Sequence, residues 1–330
     1  MSTVQLIRVK ADDDGIRLDR WFKRHYPALS HGRLEKLLRG GNVRVDGKRA
    51  TSALRLAPGA EIRVPPLEGE LREVAAPKTR SEFKAGPEDR RAIEDMIIHE
   101  DDDILVLNKP AGLAVQGGTG ITRHLDGMMN VYRTASGEKP RLVHRIDKDT
   151  SGILVMGKTA AAAAKLTAAF RTRAARKIYW ALVIGKPQVP NGKIDAPLAK
   201  ESVDDREKVE ISDDGKKAVT LYATVDHAAH KTSWLALMPL TGRTHQLRAH
   251  CAAIGHPIVG DGKYGGTDAH LQGNVSRKLH LHARELTIPH PKGGMITVTA
   301  PLSPHMLESW EMFGFDPNYA EDPFAEAEDL

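Results

Sequence analysis

The sequence predicts an α+β chain of two domains, and three observations carry that reading. At 330 residues the chain is longer than one hydrophobic core usually organises. Helical and strand-like apolar patterns follow one another with no internal repeat. Between them lies a stretch, from Pro65 to about Glu88, with Pro-Pro, Ala-Pro-Lys and Gly-Pro and no apolar period. Such a segment reads as a linker. The expected divisions are a small domain over residues 16–64, the linker over 65–88, a large domain over 89–312 and a tail over 313–330.

In the first division, Leu18, Trp21 and Phe22 recur at the spacing of one helix face, and Pro27 ends that helix. Ser30 is a fitting N-cap for a second helix that would bury Leu34, Leu37 and Leu38 before Gly40-Gly41 stops it. Val43 and Val45 then alternate with polar residues, and Asp46-Gly47 makes a tight hairpin turn. Arg17, Arg20, Arg33, Lys36, Arg39, Arg44 and Lys48 fall largely outside the apolar stripes. Residues 16–63 hold twelve Lys/Arg against four Asp/Glu, in a chain whose net charge is only +5. That concentration of charge suggests a polyanionic partner, most often nucleic acid.

The large domain opens with the run Ile104–Leu107, a buried strand leading into Asn108-Lys109-Pro110. Further strands are expected at Gly152–Gly157, Ile178–Ile184, Ala218–Val225, Ser233–Leu240, Leu279–Ile288 and Met295–Thr299. Helices are expected over Thr159–Arg173, which is rich in Ala, and over Arg243–Ala253, stopped by Gly255-His256-Pro257. Residues 185–216 read as polar loop. The tail from Phe313 holds six acids, two prolines and no Lys or Arg, and is expected to be disordered.

Composition excludes several classes. A single cysteine, Cys251, rules out an internal disulfide and fits a reducing cytoplasm. No signal-peptide apolar region opens the chain, and no apolar run approaches membrane-spanning length. No long apolar seam suggests oligomerisation, so a monomer is expected.

Two stretches stand out chemically. His144-Arg145-Ile146-Asp147-Lys148-Asp149 places five ionisable residues in six positions, followed by Thr150-Ser151-Gly152 and an apolar strand. Thr241-Gly242-Arg243-Thr244-His245-Gln246-Leu247-Arg248 is the second. Three superficial matches fail on physical grounds. Gly152 to Thr159 fits the phosphate-loop pattern G-x-x-x-x-G-K-T, but its middle residues are Ile, Leu, Val and Met, a strand rather than a polar cradle. His144-Arg145-Ile146-Asp147 lacks the companions of a kinase catalytic loop. The fifteen histidines show no metal-ligand spacing completed by a carboxylate, so no metal site is expected.

The segment around Asp147 resembles the H-R-L-D-x-x-T-S-G signature of the RluA family of pseudouridine synthases, with Ile146 in place of Leu. Arg176-Lys177-Ile178-Tyr179-Trp180-Ala181 is similar to that family's K-x-Y-x-A segment. Thr241–Arg248, Gly255–Asp261 and Leu279–Ala283 also match, in order. Residues 16–64 resemble an S4 RNA-binding domain, and Ala114–Gly120 looks most like the RluC branch. The resemblance implies an S4-like domain followed by a catalytic domain with a mixed, mainly antiparallel sheet flanked by helices. It implies cofactor-free isomerisation of uridine to pseudouridine in 23S ribosomal RNA or a large-subunit precursor, in the cytoplasm. Asp147 would be the catalytic carboxylate, attacking ribose or ring or assisting a glycal. Arg243 would pair with it, and Tyr179 would stack on the base or accept the C5 proton. Arg145 would fill the stack vacated by the flipped base, and His144, Thr150, His245, Gln246 and Arg248 would complete substrate binding. A transfer RNA substrate and a non-catalytic ribosome-assembly role remain as alternatives.

Overall fold

The structure is a computed structural model describing residues 4–10, 13–67, 83–118, 121–134, 137–201 and 208–325. The chain divides into two compact units, Met1–Glu82 and Phe83–Leu330.

The first unit runs β1 (Gln5–Arg8), α1 (Leu18–His25), α2 (His31–Arg39), β2 (Arg44–Val45), β3 (Lys48–Arg49) and β4 (Glu61–Val64). Its antiparallel sheet has the order β1-β4-β2-β3. Leu18, Trp21 and Phe22 of α1 and Leu34, Leu37 and Leu38 of α2 form one core with Val43 and Ile62. Ser30 caps α2 as expected, its side chain accepting from the Arg33 N–H at 3.3 Å. Asp46 and Gly47 both have positive φ, the geometry of a tight hairpin turn. The expected small domain begins at residue 16, yet ahead of it β1 pairs with β4 along its whole length. The middle of the expected linker, residues 68–82, lies outside the described residues, and its end is already helix: α3 spans Pro87–Glu94, with Pro87 at the first helical position.

The second unit continues with β5 (Ile97–Glu100), β6 (Ile104–Lys109), α4 (Leu125–Met128), β7 (Arg141–Leu142), β8 (Ser151–Gly157) and α5 (Ala160–Thr172). Then come β9 (Arg176–Ile184), β10 (Asn191–Asp195), β11 (Leu198–Glu201), β12 (Lys208–Ile211), β13 (Val219–Ala228) and β14 (Thr232–Pro239). It ends with α6 (Gln246–Ala253), β15 (Leu281–Pro289), β16 (Met295–Thr299) and α7 (Pro304–Phe313). Ten strands form one sheet in the order β10-β13-β14-β9-β15-β8-β6-β5, with β16 added to β15 and β7 to β8. All its pairings are antiparallel except β8 with β15, so the sheet is mixed and mainly antiparallel. That parallel contact depends on Gly152: its φ is +102°, and a Cβ there would overlap the Ala283 backbone.

Two sequence expectations are corrected. Residues 185–216, read as loop, contain β10, β11 and β12, short strands whose polar residues hide their period. The tail expected to be disordered from Phe313 packs instead through residue 325. Phe315 and Phe324 are buried with Trp180, Trp234 and Trp310, and Asp322 accepts from Arg176 at 2.5 and 2.7 Å. Two aromatic anchors and one complementary cation outweigh the acidity of the segment. Residues 326–330 lie outside the described residues. The phosphate-loop look-alike is β8 itself, buried throughout. No helix among the described residues is long and apolar enough to cross a membrane.

Candidate active site

The loop between β7 and β8 is fixed at almost every second residue, which leaves its charged residues facing outward. Val143 and Ile146 are buried in two different core clusters. His144 stacks on Phe170, ring centroids 4.2 Å apart, and its Nε2 accepts the Val155 N–H at 2.8 Å. Burial, reinforced by Lys177, pushes His144 down to about 3, so the ring stays neutral and structural. Thr150 is buried, and its N–H donates to the Asp147 carbonyl at 3.2 Å. Ser151 is buried against His282 at 2.8 Å.

Below the loop lies Lys109, fully buried at the end of β6. Its ammonium donates to the carbonyls of Pro110, Leu113 and Lys148 at 2.8, 2.9 and 2.9 Å. Burial pushes Lys109 down to about 7, while Asp149 and Asp147 pull the other way. Three acceptors require three N–H groups, and only the ammonium form has three. The Lys148 carbonyl also accepts the Gly112 N–H at 2.9 Å. The residue directly after Asp147 is therefore held from two sides.

The second unusual stretch supplies the opposite wall. It leaves β14 and enters α6, and Gln246 ties the turn together. The Gln246 side-chain carbonyl accepts from the Thr241 hydroxyl at 2.7 Å and the Arg243 N–H at 3.1 Å. Its amide donates to the Val219 carbonyl at 2.9 Å and the Thr220 hydroxyl at 3.0 Å. Gln246 and Thr150 are thus engaged inside the fold. Arg248 is too, in a buried bidentate pair with Asp261 at 2.7 Å for both bonds. Burial works against its charge, but Asp261 outweighs burial and raises its pKa.

His245 is the member of this stretch turned to the loop. It sits in the left-handed region at φ 52°, uncommon for a residue with a Cβ. Its Nε2 lies 3.9 Å from an Asp147 carboxylate oxygen, and its Nδ1 lies 2.9 Å from the Tyr264 hydroxyl. The Tyr264 oxygen accepts the Val209 N–H at 3.1 Å. Burial raises the Tyr264 pKa, so the phenol keeps its proton. An Nε2–H facing the carboxylate and a Tyr264 O–H donated to Nδ1 satisfy all three groups. Tyr264, Asp261 and Lys109 have no role in the sequence reading.

The resulting cleft has a volume of about 400 Å³ and is lined by Arg145, Asp147, Lys177, Tyr179, Arg243 and Leu281, among others. Tyr179 projects from β9; burial and then the Asp147 carboxylate push its phenol well above the usual range. Arg243 lines the cleft but is not paired with Asp147 here: its Nε donates to the Lys217 carbonyl at 3.0 Å. Among the described residues, the ion-pair neighbour of Asp147 is His245. Arg145 lines the cleft and is exposed. In the first unit, Arg20, Arg33, Lys36, Arg39 and Lys48 are exposed. Arg17 is tied to Asp19 at 2.6 Å, and Arg44 donates to the Gly41 and Gly47 carbonyls at 3.2 and 3.1 Å, so these two also serve the fold.

A carboxylate that lines one cleft with a tyrosine and two arginines, in a chain that also carries a basic mini-domain, has parallels among known proteins. The RNA pseudouridylate synthase family matches residues 103–253, and the S4 domain matches residues 16–62. The chain is 35% identical over 308 residues to ribosomal large subunit pseudouridine synthase C of Escherichia coli strain K12, covering 91% of this chain and 93% of that one. Its counterpart from Yersinia pestis is 37% identical over 305 residues, covering 91% and 92%. RNA pseudouridine synthase 4, mitochondrial, of Arabidopsis thaliana is 34% identical over 349 residues, covering 86% and 73%. Among solved structures, human RNA pseudouridylate synthase domain containing 4 aligns with TM-score 0.58 and 27% identity, covering 68% of this chain and 95% of that one. With Asp147, Tyr179 and Arg243 on the walls of one cleft and relatives of this identity along most of its length, the chain belongs to the RNA pseudouridylate synthase family.

Proposed function

We propose that the protein converts specific uridines of large-subunit (23S) ribosomal RNA to pseudouridine, without a cofactor, as a cytoplasmic monomer. The observation that carries this reading is Asp147, presented from a rigid loop into a cleft whose other wall bears Tyr179. The relatives' names support the ribosomal substrate.

In the reaction the N1–C1′ bond breaks, the uracil turns, C5 bonds to C1′, and a proton leaves C5 while N1 gains one. Asp147 is the group that meets the nucleotide, at the ribose, at the ring or in a glycal route; carboxylates serve as nucleophiles on sugars elsewhere. Tyr179 offers a flat face to the detached base. Its phenol is held protonated, which favours this stacking role over that of proton acceptor. Arg243, whose Nε donates to the Lys217 carbonyl in the free protein, swings onto Asp147 or the substrate when RNA enters. A uridine within folded RNA must first leave its stack, at a cost of a few kcal/mol. Exposed Arg145, on the cleft lining, fills the gap. The exposed basic residues of the S4 unit supply salt-sensitive phosphate contacts.

The test is a pseudouridine map of 23S and 16S ribosomal RNA and transfer RNA from cells with and without the protein. Loss at discrete 23S uridines, restored by the wild type and not by Asp147→Asn, is the expected result. Loss confined to transfer RNA would move the substrate, and no loss anywhere would favour a non-catalytic assembly role.

A further inference from the structure

A second cleft, about 480 Å³, opens on the other side of the catalytic loop, and Asp147, His245 and Arg248 line both. Its chemistry differs from that of the first. The Tyr179 cleft contains Phe170 and Tyr179, whereas no Phe, Tyr or Trp lines the second. The second is walled instead by Lys148, Lys263, Arg277 and Lys278, with glycines at 112, 260 and 262. Aromatic walls suit a base, and cations with bare backbone suit a phosphate. Asp149 shares the cleft, but the cations outnumber the carboxylates.

The basic wall is built rather than incidental. The Lys278 carbonyl interacts with Nδ1 of the buried His280 at 2.8 Å, and the His280 N–H donates to the Val259 carbonyl at 2.9 Å. A Cβ at Gly260 would overlap the Lys278 carbonyl, so the two segments lie in direct backbone contact. Asp261 accepts the Lys263 N–H at 3.1 Å and the Tyr264 N–H at 3.2 Å while holding Arg248. Among the described residues, Lys148, Arg277 and Lys278 are exposed and form no ion pair.

A nucleotide whose C1′ meets Asp147 carries a phosphodiester on each side. We propose that this second cleft binds the phosphodiester flanking the target uridine, so that the strand crosses the catalytic loop with its base in the Tyr179 cleft and its backbone against Arg277 and Lys278. The inference rests on the pseudouridine synthase reading above. Arg277 and Lys278 supply affinity and set which direction the strand runs, without touching the reacting atoms.

The experiment uses the full-length protein, a synthetic RNA spanning a uridine that the map identifies, and the double variant Arg277→Ala/Lys278→Ala. Expected are a roughly tenfold weaker KM, a single-turnover rate at saturating RNA within about threefold of wild type, and a salt slope of binding shallower by about one. Placing a neutral methylphosphonate at the linkage on either side of the uridine in turn gives a second arm that leaves the protein unaltered. At one of the two positions, the wild type should lose about as much affinity as the double variant has lost, and the double variant should lose little more. Wild-type affinity and slope in the double variant, or losses that simply add at both linkages, would overturn the proposal while leaving the enzymatic reading intact. A wild type that forms no pseudouridine in this RNA would instead remove the reading on which it rests.

Discussion

Lys109 gives its three N–H groups to carbonyls, one of them that of Lys148, the neighbour of the catalytic carboxylate. Lys109→Met keeps the bulk and removes the donors. It is expected to lower stability by about 3 kcal/mol and to slow pseudouridine formation at least tenfold with RNA affinity nearly unchanged. Wild-type turnover in a stably folded Lys109→Met would contradict the anchoring role. Tyr264 acts one step further from the chemistry, through His245. Tyr264→Phe removes the hydroxyl that orients the ring, and a roughly tenfold fall in single-turnover rate with unchanged RNA binding is expected. Asp147, Tyr179 and the Thr241–Arg248 block were legible because short motifs declare themselves locally. Tyr264 and Lys109 were not, because their meaning lies in partners 19 and 39 positions away. Thr150, Gln246 and Arg248 were visible as motif residues, but only their burial and hydrogen bonds reveal that, besides lining the cleft, they hold it together.

At the scale of elements, strands with a clear apolar run or alternation are legible in the sequence, and so are helices with an apolar stripe. The short polar strands β10–β12 are not, because pairing to a neighbour, not side-chain period, makes them strands. Helix α7 and the segment after it escape for a related reason: their partners, Trp180 and Trp234, lie on distant strands. Phe324 tests that attachment. Phe324→Ala should cost about 2–3 kcal/mol, less than a central core position because the segment is near the surface. Breaking the Arg176–Asp322 pair with Asp322→Asn should cost under about 1 kcal/mol, since both side chains are partly exposed. Denaturation of the two variants side by side checks the order, and an equal cost would show that charge rather than aromatic burial holds the tail segment.

For the whole molecule, stability is tied to pH by buried histidines. Burial pushes His280 down to about 4 and His282 down to about 3, and both are wholly enclosed. A folded pKa below the unfolded value means the unfolded chain binds more protons between the two. The stabilisation is therefore complete above about pH 6.5 and is lost as pH falls toward 4, at about 1.4 kcal/mol per pH unit for each ring. Urea unfolding of the larger unit should show about 4 kcal/mol less stability from these two rings at pH 5 than at pH 7, and a flat profile would contradict neutral burial of these rings. The S4-plus-catalytic organisation and the mixed sheet were legible from sequence because the family motifs mark them, whereas the parallel β8–β15 contact that carries the loop was not. The most direct measurement is pseudouridine formation by the purified protein on deproteinised 23S ribosomal RNA from cells lacking it, wild type against Asp147→Asn. Full conversion at discrete uridines by the wild type and none by Asp147→Asn, with equal RNA binding, is the expected result. Conversion by Asp147→Asn at the wild-type rate would contradict the central role of this carboxylate.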